Sequence, residues 1–242
     1  MKKYVAVAVT LLSSVILGAC GNASSPGASG EDGIEGIVSS FYRAGYDYEE
    51  IHTFVRDGAE SGVIYEGQVF ADPYREHVVI STFGDASSMA SEIFYEEAGD
   101  KVSAEIIQKD GSTAKQVIGR KFPYGYGQEI SFSEDEDGTL DGVAVEIWQG
   151  EYVVDVGKGY GLEEDLTAVV SQVYYILKEE QTLVRLDTDL TQVNQMTAVA
   201  NAMTGSGLTR EEAEESVDMD AQREQVVMKI TNMGNPTEYV KE

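Results

Sequence analysis

Residues 63–83 read VIYEGQVFADPYREHVVISTF, and this stretch decides the fold class. Val63 to Phe70 and Arg75 to Phe83 alternate between apolar and polar side chains, with Asp72-Pro73 between them as a turn. A period of two sends successive side chains to opposite faces of a pleated strand, so the stretch predicts an antiparallel hairpin with Val78 and Ile80 on one face.

The same reading extends on both sides. Ser91 to Glu97 and Lys101 to Gln108 flank Gly99-Asp100 as a second hairpin, which Asp110-Gly111 ends. Gln128 to Ser133 and Gly142 to Gln149 predict a third hairpin, connected by the acidic loop Glu134-Asp135-Glu136-Asp137-Gly138. Glu151 to Val156 continues the meander. Gln222 to Thr231 closes the chain as a strand with Val226, Met228 and Ile230 on one face.

Helical spacing occurs at fewer places. Ile34, Ile37, Val38 and Phe41 predict a helix behind Asp32 that ends near Gly45. Asp189 caps another, carrying Leu190, Val193, Met196 and Met203 and stopping at Gly205. Thr209 to Glu212 is a capping-box pattern. Leu162, Leu166, Val169, Val170, Val173, Ile176 and Leu177 fit one helical face, yet Val173 to Ile176 is β-branched and aromatic. We therefore expect a short helix before Ser171 and a hairpin after it, returning through Thr182 to Leu186.

The N-terminus predicts an address. Met1-Lys2-Lys3 followed by the apolar run Tyr4 to Leu17 has the pattern of an export signal, too short to span a bilayer comfortably. Leu17-Gly18-Ala19-Cys20 resembles the lipobox of bacterial lipoproteins, in which the cysteine is diacylated, and two acyl chains give stable anchoring. The expected organisation is a signal peptide over 1–19, lipidated Cys20 with a flexible tether over 20–32, and a single domain over 33–242 on the extracytoplasmic face of the cell membrane. Tether and acidic body are of the Gram-positive type.

Charge and composition exclude several classes. The 242 residues carry 17 basic and 43 acidic side chains, a net charge of −26, and such a surface repels nucleic acid and anionic membrane. One Cys and two His exclude a disulfide framework and a zinc finger, and no cofactor or metal is expected.

Order of motifs adds a resemblance. The Gly67…Pro73 hairpin, Glu92-Ile93-Phe94-Tyr95, Asp141-Gly142-Val143 leading into Glu146-Ile147-Trp148, Tyr174-Tyr175-Ile176 followed by Asp187, Asp189 and Leu190, and the terminal Asn232-Met233-Gly234-Asn235-Pro236 follow a lipobox, a tether and an N-terminal helix. From Ile34 to Val240 the chain resembles uncharacterised lipoproteins related to the LolA/LppX-like half-barrel. The resemblance implies an α+β fold, a strongly curved, mainly antiparallel sheet with helices covering its concave face. It also implies carriage of a lipid or other apolar or amphiphilic ligand between sheet and helices. Two departures stand out: no strand is legible between Tyr46 and Gly58, and Lys115 to Tyr126 is rich in Gly and Tyr.

Enzyme patterns are thin, and we expect no enzyme. Ser112-Thr113-Ala114-Lys115 matches Ser-x-x-Lys without its partner motifs, and Gly157 to Gly161 lacks the spacing of a phosphate loop. Asp135, Asp137, Gly138 and Asp141 form part of a calcium-loop pattern but lack its first carboxylate and its closing bidentate ligand. His52 and His77 read as surface or half-buried strand residues. Candidate ligand contacts are Val78, Ile80, Val226, Met228, Ile230 and Trp148. Trp148 shares a face with Ala144 and Glu146, opposite Val143, Val145 and Ile147, so it is expected to point outward or toward a groove mouth. With acids forced to the rims, any ligand site would be apolar inside and acidic at its mouth, favouring neutral or cationic amphiphiles. The alternative is an interaction or sensing module with a fully packed core, binding an envelope protein or a cell-wall polymer.

Overall fold

The computed structural model describes residues 33–99, 101–119, 123–163 and 165–239; the expected signal peptide, Cys20 and the tether lie outside the described residues. Helix α1 (Ile34–Phe41) leads into six consecutive strands: β1 (Tyr46–Arg56), β2 (Ala59–Ala71), β3 (Tyr74–Phe83), β4 (Ala90–Ala98), β5 (Lys101–Gln108) and β6 (Thr113–Ile118). Next come β7 (Ser131–Leu140), β8 (Val143–Asp155), the single turn α2 (Val156–Gly159), β9 (Thr167–Leu177) and β10 (Thr182–Asp189). Helices α3 (Thr191–Ser206) and α4 (Arg210–Ser216) precede the last strand, β11 (Arg223–Thr231).

These strands form one curved, unclosed sheet of eleven in the order β6-β5-β4-β3-β2-β1-β11-β10-β9-β8-β7, and each neighbouring pair is antiparallel. Short turns explain most of the order, because consecutive strands joined by tight turns pair with each other. Two places depart from this: β6 and β7, consecutive in the chain, lie at opposite edges of the sheet, and β11 returns after α3 and α4 to join β1 to β10.

Register shows which side is inside. Tyr48 lies opposite Ile230 and Gly67, Gly67 opposite Val78, and Val78 opposite Ile93. Directly paired residues share a face. Most buried members of β1 to β4 and of β8 to β11 therefore line one continuous inner face, where Val63, Val78, Ile93, Tyr174, Leu186 and Ile230 are each at most 3% exposed; Phe94 and Val145 are buried on the other face. α1 places Ile34, Val38 and Phe41 in the same apolar cluster, and Val199 and Ala200 of α3 pack with Leu166 and Ala168 at the β8–β9 end. Both major helices sit on the single concave face.

Four expectations need correction. A strand does occupy 46–56, and it lies in the middle of the sheet between β2 and β11. The acids at 134–137 belong to β7 instead of a loop; a bulge between Glu134 and Glu136 absorbs one residue, and the turn falls at Asp141-Gly142, both with positive φ. Among the described residues no helix forms over 162–170, and β9 takes up the chain from Thr167. Trp148 does not point outward: it pairs with Tyr174, shares the inner face with Gly150 and Tyr152, and packs half-buried against the main core.

Candidate functional site

Val78, Ile80, Val226, Met228 and Ile230 meet on the inner face, and each is at most 7% exposed. Val78, Ile80, Met228 and Ile230 share one apolar cluster, against which Trp148 packs. Val226 packs instead with Tyr152, Val170 and Leu190. Helix α1 and the segment 123–130 lie against this apolar surface. Phe41 stacks obliquely on Tyr46 at 4.9 Å, and the Tyr42 hydroxyl donates to the Tyr124 carbonyl at 3.0 Å.

Among these apolar residues lies a polar centre that reading the sequence missed. His52 Nδ1 is 2.7 Å from Glu224 Oε1, and its Nε2 is 2.8 Å from Glu50 Oε1. Alternation along β1 puts Glu50 and His52 on the same side, and the β1–β11 register brings Glu224 diagonally beside them. Burial alone would lower the histidine pKa, but hydrogen bonds to the Glu224 and Glu50 carboxylates outweigh it and hold the imidazole up at about 9. The ring is therefore an imidazolium at neutral pH, donating from both nitrogens. Neither nitrogen is left over to take a substrate proton or bind a metal.

Glu224 also fastens a helix. Its Oε2 accepts from Asn194 Nδ2 at 2.5 Å, its backbone nitrogen donates to Thr191 Oγ1 at 3.3 Å, and its carbonyl accepts from Leu190 N at 3.1 Å. The seat of α3 on the sheet is thus partly electrostatic, as suits a helix with only Val199 and Ala200 fully buried.

Two further networks keep polar atoms satisfied on this face. Tyr48 and Tyr74 both donate to the buried Glu76 carboxylate, Tyr48 at 2.5 Å. Burial, then the neighbouring charges of Glu76 and Glu50, push the Tyr48 hydroxyl pKa well up. Tyr174 donates to Gln172 Oε1 at 2.6 Å, and the Gln172 amide donates to Thr188 Oγ1 at 3.1 Å and to the Tyr124 carbonyl at 3.4 Å.

The second histidine lies on the opposite, convex side of the sheet. His77 Nε2 meets Glu92 at 2.6 Å, Nδ1 meets Gln68 at 3.0 Å, and the ring stacks on Phe94 at 4.6 Å beneath Tyr239. Lys115, of the Ser-x-x-Lys pattern, reaches Glu105 at 3.0 Å, and Asp137 of the acidic run pairs with Lys178.

Depressions of the surface lie elsewhere. One of about 340 Å³ is bounded by Val55, Arg56, Asp57, Asp218 and Arg223, and another of about 320 Å³ by Gln128, Glu129, Glu151 and Tyr152. Both are open and of mixed polarity, and neither reaches Val78, Ile80, Met228 or Ile230. Among the described residues no helix is long and apolar enough to cross a membrane.

Sheet order, curvature and one-sided helical cover match the architecture implied by the motif order. The fold is a curved, unclosed half-barrel. The chain is similar to the lipoprotein LppX of Mycobacterium tuberculosis, with 12% identity and a TM-score of 0.44 over 84% of this chain and 93% of that one. It is also similar to LprF from Mycobacterium bovis, at 8% identity and a TM-score of 0.43 over 84% and 91% of the two chains. A LolA superfamily protein, NE2245 from Nitrosomonas europaea, matches at 7% identity and a TM-score of 0.29 over 83% and 88%. No family model and no curated protein matches the sequence. These likenesses concern fold, and no residue's role is carried across from them.

Proposed function

We propose that this chain is a membrane-anchored, extracytoplasmic, non-enzymatic lipoprotein whose half-barrel serves as an interaction module with a filled inner face. The observation that carries this reading is how the concave side is occupied. Phe41 and Tyr174 are 0% exposed there, and the His52–Glu50–Glu224 centre is buried between β1, β11 and α3. An acyl chain lying on this face would have to displace α1 or separate a buried ion pair, and breaking such a pair costs several kcal/mol, roughly 3–5. Close packing of this kind stabilises a fixed outer surface for recognition. The acidic exterior suits a basic or neutral surface of an envelope protein or wall polymer.

Carriage of an apolar or amphiphilic ligand is the second reading. It draws support from the continuous apolar strip of Val78, Ile80, Met228 and Ile230, and from the smallness of α1, eight residues with no side-chain N-cap. An isolated helix of that length is unstable in water, so a ligand replacing it would meet little resistance beyond the burial of Ile34, Val38 and Phe41. A titration with a neutral diacylglycerol bearing a fluorescent reporter separates the two. The packed module gives no saturable signal; saturation at one lipid per chain would establish carriage instead.

A further inference from the structure

The chain does not stop at its last strand. After β11, Asn232 and Gly234 take positive φ and turn the backbone over the end of the β1–β2 pair, where Gly234 N donates to the Gly45 carbonyl at 2.7 Å. Pro236 then passes Gly45 so closely that a Cβ there would lie 3.0 Å from the proline Cγ. Residues 236–239 belong to no helix or strand, yet they are held at two points. The first is Asp47: its Oδ1 accepts from Thr237 N at 2.8 Å, and its Oδ2 from Thr237 Oγ1 at 2.5 Å and from Asn232 Nδ2 at 2.6 Å. The second is a shelf of rings. Tyr239 lies 4.8 Å from His77, 5.8 Å from Phe70 and 5.9 Å from Phe94, centroid to centroid.

That shelf is on the side of the sheet away from α1 and α3. Phe70 pairs with Arg75, and His77 with Gln68 and Phe94, so all of them share the convex face. Phe94 is only 6% exposed although it belongs to none of the apolar core clusters, because the stacked His77 ring and Tyr239 cover it. Thr237 and Tyr239, two positions apart, both reach the sheet, whereas the Glu238 side chain between them is 74% exposed and its carboxylate is 3.9 Å from the Arg75 guanidinium. An exposed ion pair of that kind contributes little. One carboxylate and one ring shelf therefore carry the contact.

We propose that Asp47 and the Phe70–His77–Phe94 shelf form a peptide-binding site, which the chain's own tail fills until a segment of a partner protein displaces it. The tail defines the ligand. Its chemistry is a hydroxyl residue whose N–H and O–H both reach one carboxylate, followed two positions later by an aromatic ring, the pattern Thr-x-Tyr. This names the partner class for the interaction module proposed above, an envelope protein exposing such a segment, and it rests on that reading. A tail tied to the same chain competes at an effective concentration in the millimolar range, so a free segment must reproduce these contacts and add others.

The test uses the full-length chain in detergent and a fluorescein-labelled peptide Asn-Pro-Thr-Glu-Tyr, identical to residues 235–239, read by anisotropy. Thr237→Ala with Tyr239→Ala vacates the site, and saturable binding to this variant is expected, with binding to the unmodified chain at least tenfold weaker. Replacing the peptide's tyrosine by alanine, or adding Asp47→Ala to the variant, should each weaken binding about tenfold. Circular dichroism checks folding, and Tyr239→Ser alone, which keeps Thr237 on Asp47, should give the same ranking if the double variant does not fold. A folded variant that binds no peptide, or binds it no better than the unmodified chain, would overturn the site. A concentration-dependent dimer of the unmodified chain, abolished by the two tail substitutions, would overturn the foreign partner in favour of the tail of a second copy. Lipid saturation in the titration above reports on the inner face alone, so failure of the packed module and failure of this site are read separately.

Discussion

A histidine held between two buried carboxylates makes stability depend on pH in a definite direction. The His52 pKa rises from 6.5 to about 9 on folding, so its contribution is complete below pH 6.5 and is lost as pH climbs through 9. The shift corresponds to about 3 kcal/mol. We predict that His52→Gln lowers the urea-unfolding free energy by about that amount at pH 6 and by much less at pH 9.5; an equal loss at both would show that the imidazolium is not what matters. Tyrosines report the same face. Tyr48 and Tyr124 are pushed well above 10, mainly by burial, so they should stay un-ionised until the domain opens. Absorbance at the tyrosinate band should rise in two steps on alkaline titration, the second coinciding with loss of circular dichroism, and a single smooth rise would contradict their burial. None of this was legible in sequence, because a histidine two residues from a glutamate is common, and Glu224 lies 172 positions away from it.

At the scale of elements, polarity on the inner face explains what was missed. β1 alternates Tyr46, Tyr48, Glu50, His52 and Phe54 with Asp47, Glu49, Ile51, Thr53 and Val55, so neither side reads as apolar and the central strand vanished from the pattern. β6 is exposed on both sides and β7 carries four consecutive acids, so neither edge strand showed a buried face. Over 162–177 the helical spacing was real, but pairing with β8 and β10 on both sides outweighed it. Where the inward positions are mostly apolar, as in β3 with Val78 and Ile80 and β11 with Val226, Met228 and Ile230, alternation alone found strand and face together. The β1–β2 contact offers a sharp test. A Cβ at Gly62 would lie 2.1 Å from the His52 carbonyl oxygen and 2.6 Å from the Phe83 ring, and a backbone oxygen inside a ladder cannot retreat. Gly62→Ala should cost more than about 2 kcal/mol in thermal or urea unfolding; a variant as stable as the parent would argue against this register.

At the scale of the whole molecule, address and interior answer different questions. The proposed export and anchoring rest on the N-terminal apolar run and Leu17-Gly18-Ala19-Cys20, and Cys20→Ser should shift the chain from the membrane fraction to the medium or leave it as an uncleaved precursor. Fully processed protein that stays in the membrane would contradict anchoring through this residue. The interior decides between a module and a carrier. Motif order was enough to anticipate the half-barrel, whereas the filling of its concave face by α1, α3 and a charged centre depends on contacts between residues far apart in the chain. The most direct measurement is native mass spectrometry of the domain released from membranes by proteolysis within the tether. A filled inner face predicts the mass of the polypeptide alone, with no non-covalent lipid retained under gentle activation. A stoichiometric lipid adduct that survives until the chain unfolds would contradict it.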